Sequence, residues 1–123
     1  MNLTTMKKYI SILIVLCFLS CNEDKEIVDL LSSHNTTDII KGAKMAADTQ
    51  HTKYVPLLLD NSFNASISTN LFFKGISVYE GKMNALRRLL KSSPPKEITF
   101  EPDSTIIKYY TKLAESRNLL SKK

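Results

Sequence analysis

The side chains able to do chemistry are few, and they stand apart along the chain. His34 and His51 lie in polar breaks on either side of one helical pattern. Two imidazoles can share a metal ion, but no His-x-x-x-His spacing and no cysteine joins these two, so exposed loop histidines are the simpler expectation. Glu97, Glu101 and Asp103 gather around Pro102. Paired carboxylates could act as acid and base in a hydrolysis, whereas an alternating edge segment followed by a helix cap explains them without any chemistry. Gly42, Gly75 and Gly81 stand singly, so no loop is built to cradle a phosphate. No nucleophile is accompanied by a base and an orienting group. The expectation is a protein without catalysis, cofactor or metal.

Contact residues are easier to find. Arg87 and Arg88, with Lys82 and Lys91, could meet an acidic partner or lipid head groups, although a solvated helix face is the plainer reading. Phe72-Phe73 and Tyr109-Tyr110 place aromatic rings side by side. One ring of each pair should face inward, which makes Phe72 and Tyr109 candidate contacts. An exposed loop tip at Phe72 would mark a partner site. Docking of that loop into the core is the default expectation.

Helical elements must position these groups. Ile27, Leu30 and Leu31 share a face, predicting a short helix over Glu26 to Ser33 after a solvated tether, Asn22 to Glu26. The next helix should open with Thr37 as its cap and run to about Asp48, with a small-residue stripe through Ile39, Ile40, Ala43, Ala46 and Ala47. Lys53 to Asp60 follows, with Pro56 in the first turn, where a missing amide costs nothing. Asn61 to Ile76 lacks helical periodicity and reads as one long ordered loop, with a short extended piece at Asn70 to Phe73. Ser77 and Glu80 have the spacing of a capping box. Tyr79, Met83, Leu86 and Leu90 then define an amphipathic helix with Lys82, Arg87, Arg88 and Lys91 on its outer side. Ser92-Ser93-Pro94-Pro95 ends it. Lys96 to Glu101 should cross the core as an extended segment through Ile98 and Phe100. Asp103 or Ser104 should cap a last helix through Ile106, Ile107, Tyr110, Leu113 and Ala114, with Asn118 to Lys123 fraying.

The N-terminus has a different grammar. Lys7 and Lys8 precede an apolar run of eleven residues, Tyr9 to Leu19, too short for a spanning helix of about 20. Phe18-Leu19-Ser20-Cys21 closes it. A basic start, an apolar core and a small residue make an export signal, and with Cys21 the stretch resembles a bacterial lipoprotein signal with its lipobox, read from Met1 or Met6. That resemblance implies cleavage before Cys21 and lipid attachment to its thiol, dividing the chain into a signal peptide at 1–20, a lipidated tether at 21–26 and one domain at 27–123. More than one acyl chain gives stable anchoring, at roughly 0.8 kcal/mol per buried methylene. Glu23 and Asp24 resemble the acidic export signal of lipoproteins of the Bacteroidetes type. The implied place is the bacterial cell envelope, most naturally the outer membrane, on its periplasmic or outer face.

Such processing leaves 103 of 123 residues and lowers the formal net charge from +5 to +3. A charge of that size is ordinary for solubility and does not point to nucleic acid. Cys17 leaves with the signal and Cys21 is taken by lipid, so no disulfide can support the domain. With 43% apolar and 24% charged residues the chain is globular rather than disordered. About 100 residues make one small domain with a modest core.

Asp38 to Thr49, leading into Tyr54-Val55-Pro56-Leu57-Leu58-Leu59-Asp60, is similar to one HEAT-type repeat: a small-residue helix, a short turn, then a helix opened by Val-Pro. Tyr79 to Leu90 with Ile106 to Ala114 would be a second, degenerate pair. The expected fold is all-α, a small HEAT-like domain of antiparallel helix pairs with one long ordered loop and a short extended segment. HEAT repeats bind partners through stacked helix faces. The resemblance therefore implies a lipid-anchored protein-interaction module with a protein partner. The alternatives are an immunity-type lipoprotein that neutralises a toxin, and a small hydrolase using Glu97, Glu101 and Asp103.

Overall fold

The computed structural model describes residues 22–121. The expected signal peptide and the lipid-attachment residue Cys21 lie outside them. The architecture is all-α, with helices packed against one another. In order come α1 (22–31), α2 (Thr36–Thr49), a 3-10 turn (Thr52–Tyr54), α3 (Val55–Leu59), α4 (Val78–Leu90) and α5 (Ser104–Ser116). Among the described residues there is no strand, only a single antiparallel bridge between Ile67 and Ser77.

Residues 22–26, expected as a solvated tether, belong to α1. Asp24 anchors them: the Tyr54 hydroxyl donates to its carboxylate at 2.7 Å and Lys53 Nζ lies 3.1 Å away. These two partners hold the Asp24 carboxyl below its ordinary range, the Tyr54 bond contributing most. The cap of α2 is Asn35, whose side chain accepts the Asp38 amide. The expected cap, Thr37, is already helical, and its hydroxyl is 2.9 Å from that of Ser68. Asn35 wins because its backbone is extended at φ −88°, as a cap requires.

Gly42 sets the distance between α1 and α2. A Cβ there would fall 2.8 Å from Leu30 Cβ and 3.1 Å from the Leu31 amide. Gly42 beside Leu30 and Leu31, with Asp24 beside Lys53 and Tyr54, makes α1 and α2 an antiparallel pair. Among α2 to α5, α2 packs on α4 and not on the α3 that the repeat resemblance implies; α3 packs on α4 and α5. Ile40 lies against Gly81 and Asp48 meets Arg88, so α2 and α4 run in the same direction.

The central helix is α4. Val78, Tyr79, Met83, Leu86 and Leu90 are all at most 1% exposed, as their spacing predicts. Ser77 is its cap: the hydroxyl accepts the Glu80 amide at 3.0 Å and donates to the Phe100 carbonyl at 2.7 Å. Ser77→Ala should therefore cost about 1–2 kcal/mol, read as a lower denaturation midpoint at unchanged slope. Lys82 departs from expectation. It is buried, and its ammonium donates to the Asp60 carbonyl at 2.7 Å, capping the end of α3. The apolar stem covers core while the charge meets the negative end of a helix.

After Lys91, in the left-handed region at φ 51°, the chain returns along α4 in an irregular segment. Lys96 to Glu101 does not cross the core. Ile98 is half-buried and Phe100 is 51% exposed, because among the described residues no neighbouring strand is present to pair an extended segment between two prolines. The return makes α5 parallel to α4: Phe100 sits beside Ser77, and Arg117 donates to the Leu90 carbonyl at 2.7 Å. Asp103 caps α5 by accepting the Thr105 amide at 2.8 Å. The end of α5 does not fray at Asn118. That residue adopts φ 58°, its amide and that of Leu119 return to the Glu115 and Ala114 carbonyls, and Leu119 and Leu120 pack on the core.

Buried tyrosines bind this frame and give it a pH dependence. The Tyr110 hydroxyl donates to the Ser92 carbonyl at 2.8 Å, and burial pushes its pKa up to about 12. Burial also raises Tyr54 and Tyr79. Such a group favours the folded state fully below its unfolded value of 10 and loses that contribution as pH climbs through the folded value. Lys82 acts with the opposite sign, since burial lowers its pKa. With three tyrosines raised, the stability of the fold should fall as pH rises above 10. Circular dichroism against pH checks this, and Tyr110→Phe should flatten the slope.

Candidate partner-binding groove

The loop at 61–76 is the most heavily specified irregular segment. Ser68 is buried and central: its amide donates to the Ile76 carbonyl, its carbonyl accepts the Gly75 amide, and its hydroxyl accepts the Asn70 amide. Gly75 completes the turn at φ +84°, a conformation that L side chains rarely adopt. The Ser66 and Asn64 carbonyls accept the Val78 and Tyr79 amides, tying the loop to the start of α4. Asn70 to Phe73, expected to be extended, forms part of this turn; the one bridge is at Ile67 and Ser77 instead.

So much hydrogen bonding would ordinarily serve to dock apolar side chains. Here only Phe73 and Ile76 pack on the core. Leu71 is 86% and Phe72 84% exposed, with Phe63 and Ile67 exposed on the same loop. The expected docking of the loop into the core therefore holds for Phe73 and Ile76 and fails at the tip, Leu71 and Phe72. An ordered backbone is holding an apolar tip in water.

Beside the tip lies a groove of about 280 Å³ between α2 and α4. Its floor is Ala47, Gly81 and Ala85, where the two parallel helices meet; two methyl groups and a bare backbone leave a hollow there. Ile40, Phe73 and Ile76 form apolar walls, and Phe72 is a rim. Lys44, Asn84 and Arg88 supply the polar edge. Arg88 is held by Asp48 at 2.7 Å, while Lys44 is exposed and makes no ion pair among the described residues. The arrangement can take up an apolar side chain and a neighbouring anion.

The other expected sites are not brought together with it. Arg87 is exposed on α4, but it does not line the groove. Tyr109 is half-buried, its hydroxyl bonded to that of Ser92 and its ring edge-on to Tyr110, so it is packed rather than presented. His34 and His51 are exposed at opposite ends of α2, about 20 Å apart at helical rise. Among the described residues no group of three His, Cys, Asp or Glu could hold a metal ion. Asp103 is committed to its cap and to Lys96 at 3.6 Å, while Glu97 and Glu101 are exposed. Lys44, Asn84 and Ile76 were missed by sequence reasoning. The stripe of small residues on α2 is the one available signal, since small side chains let another helix come close without specifying which.

Comparison of the chain with protein families, curated proteins and solved structures gives no match. Among the described residues no helix is long and apolar enough to cross a membrane.

Proposed function

We propose that this chain is a lipid-anchored protein of a bacterial cell envelope, held to the outer membrane through Cys21, whose helical body docks another protein and performs no catalysis. The observation that carries the docking part is the ordered loop that exposes Leu71 and Phe72 beside an apolar groove. Contiguous exposed apolar surface on a well-ordered segment is what interaction sites offer. The anchoring part rests on the basic, apolar and small-residue series that ends in Cys21.

Each part has its own experiment. Mass spectrometry of the mature N-terminus should find Cys21 first and carrying diacylglycerol; an unmodified N-terminal residue overturns the anchor. A photo-crosslinking amino acid at position 72, in intact envelopes, should give one discrete protein adduct that is absent when the same group replaces the exposed Lys108. Equal labelling from both positions, or none from position 72, overturns the docking reading.

A further inference from the structure

We propose that the groove between α2 and α4 accepts one short protein segment bearing an apolar side chain next to a carboxylate. This rests on the docking reading above and adds the chemistry of the segment that docks.

Charge is the first argument. The residues lining the groove include two cations, Lys44 and Arg88, and no acid. Arg88 arrives with its charge met by Asp48, so Lys44 is the cation available to an incoming anion. The bias is local. The hollow beside α1 has the opposite balance, with Glu26, Asp29 and Asp38 against Lys25. A positive edge beside an apolar floor favours an acidic partner and disfavours a basic one, mainly through encounter rate and specificity.

Shape is the second argument, and it selects a chain segment over a bilayer. Phe72 on the rim is 84% exposed, whereas Phe73 and Ile76, set back in the groove, are half-buried and still accessible. A flat membrane surface would meet the rim and leave the floor unfilled. A volume of about 280 Å³ falls just below the range of small-molecule pockets, roughly 300–1,000 Å³, and suits one or two side chains. An inserted Leu or Phe would lie against Phe73 and Ile76, and its neighbouring carboxylate would reach the Lys44 ammonium at the edge.

The test is a selection with the full chain, purified in a nonionic detergent, against a library of short peptides that hold a central Leu or Phe between randomised positions. Asp and Glu should be enriched at the flanks. Lys44→Glu should turn that preference toward Lys and Arg, and the selected acidic peptides should bind this variant roughly threefold to tenfold more weakly. Phe72→Ala should abolish enrichment. Both side chains are exposed, so an unchanged circular dichroism spectrum accompanies each variant. Enrichment of neutral or basic flanks, or a flank preference that survives Lys44→Glu, overturns the proposal while leaving a position-72 adduct and the docking reading intact. No enrichment at all, together with binding of the chain to anionic vesicles that Phe72→Ala removes, overturns it in favour of a lipid surface.

Discussion

Leu86→Ala should lower the stability of the domain by about 2–5 kcal/mol. Leu86 is 0% exposed in the middle of α4, the helix that packs on α2, α3 and α5 together. Removing its branched end leaves a cavity whose walls belong to several elements, and they cannot all close over it. A domain of this size has about 5–15 kcal/mol in hand at most, and this one has no disulfide among its described residues to fall back on. Denaturant titration should show a large fall in midpoint, and the variant should be the first to lose its cooperative thermal transition. A midpoint like that of the parent would remove α4 from the centre of the fold.

A pair of identical substitutions should have opposite signs. Gly→Ala inside a helix ordinarily stabilises by about 1 kcal/mol, because alanine loses less backbone freedom on folding. Gly81 can show this gain, since the nearest atoms to an added methyl are those of Ile40 at 3.5 Å, an ordinary contact. Gly42 cannot. Its methyl would meet Leu30 Cβ at 2.8 Å and the Leu31 amide at 3.1 Å, neither being the far end of a flexible chain. Helix α1 would have to move, and overpacking of this kind costs about 1–3 kcal/mol. Gly42→Ala should therefore destabilise and Gly81→Ala should stabilise, with melting temperatures displaced to either side of the parent. Parallel shifts would mean that α1 and α2 are not in close contact at residue 42.

What the sequence made legible was whatever is decided within a turn or two of chain. The spacing of Tyr79, Met83, Leu86 and Leu90 located the central helix and its buried face, and Ser77 and Asp103 were identifiable as caps from type and position. Errors arose where a distant neighbour decides. Lys82 looked like a member of the outer basic face, yet it lies inside because the end of α3 supplies a carbonyl for it. Tyr109 looked available until Ser92 returned to meet it. Phe72 is the instructive case, because apolarity alone argues for burial. Its exposure depends on backbone bonds among Ser68, Asn70, Gly75 and Ile76 that no periodicity reveals. The groove is the least legible of all, since it exists only where two helices separated by α3 and a long loop come to lie side by side in parallel.

That α1 is already wound at residue 22 bears on how the molecule would be carried. Five extended residues would give a leash of about 17 Å, and the body could swing on it in any attitude. A helix advances only about 1.5 Å per residue and does not bend at will, and Asp24 is clamped to Tyr54 and Lys53 besides. Under the proposed attachment at Cys21 the body would ride close against the bilayer and not at the end of a long leash. Which neighbours could reach the α2–α4 face would then be decided by posture as much as by affinity.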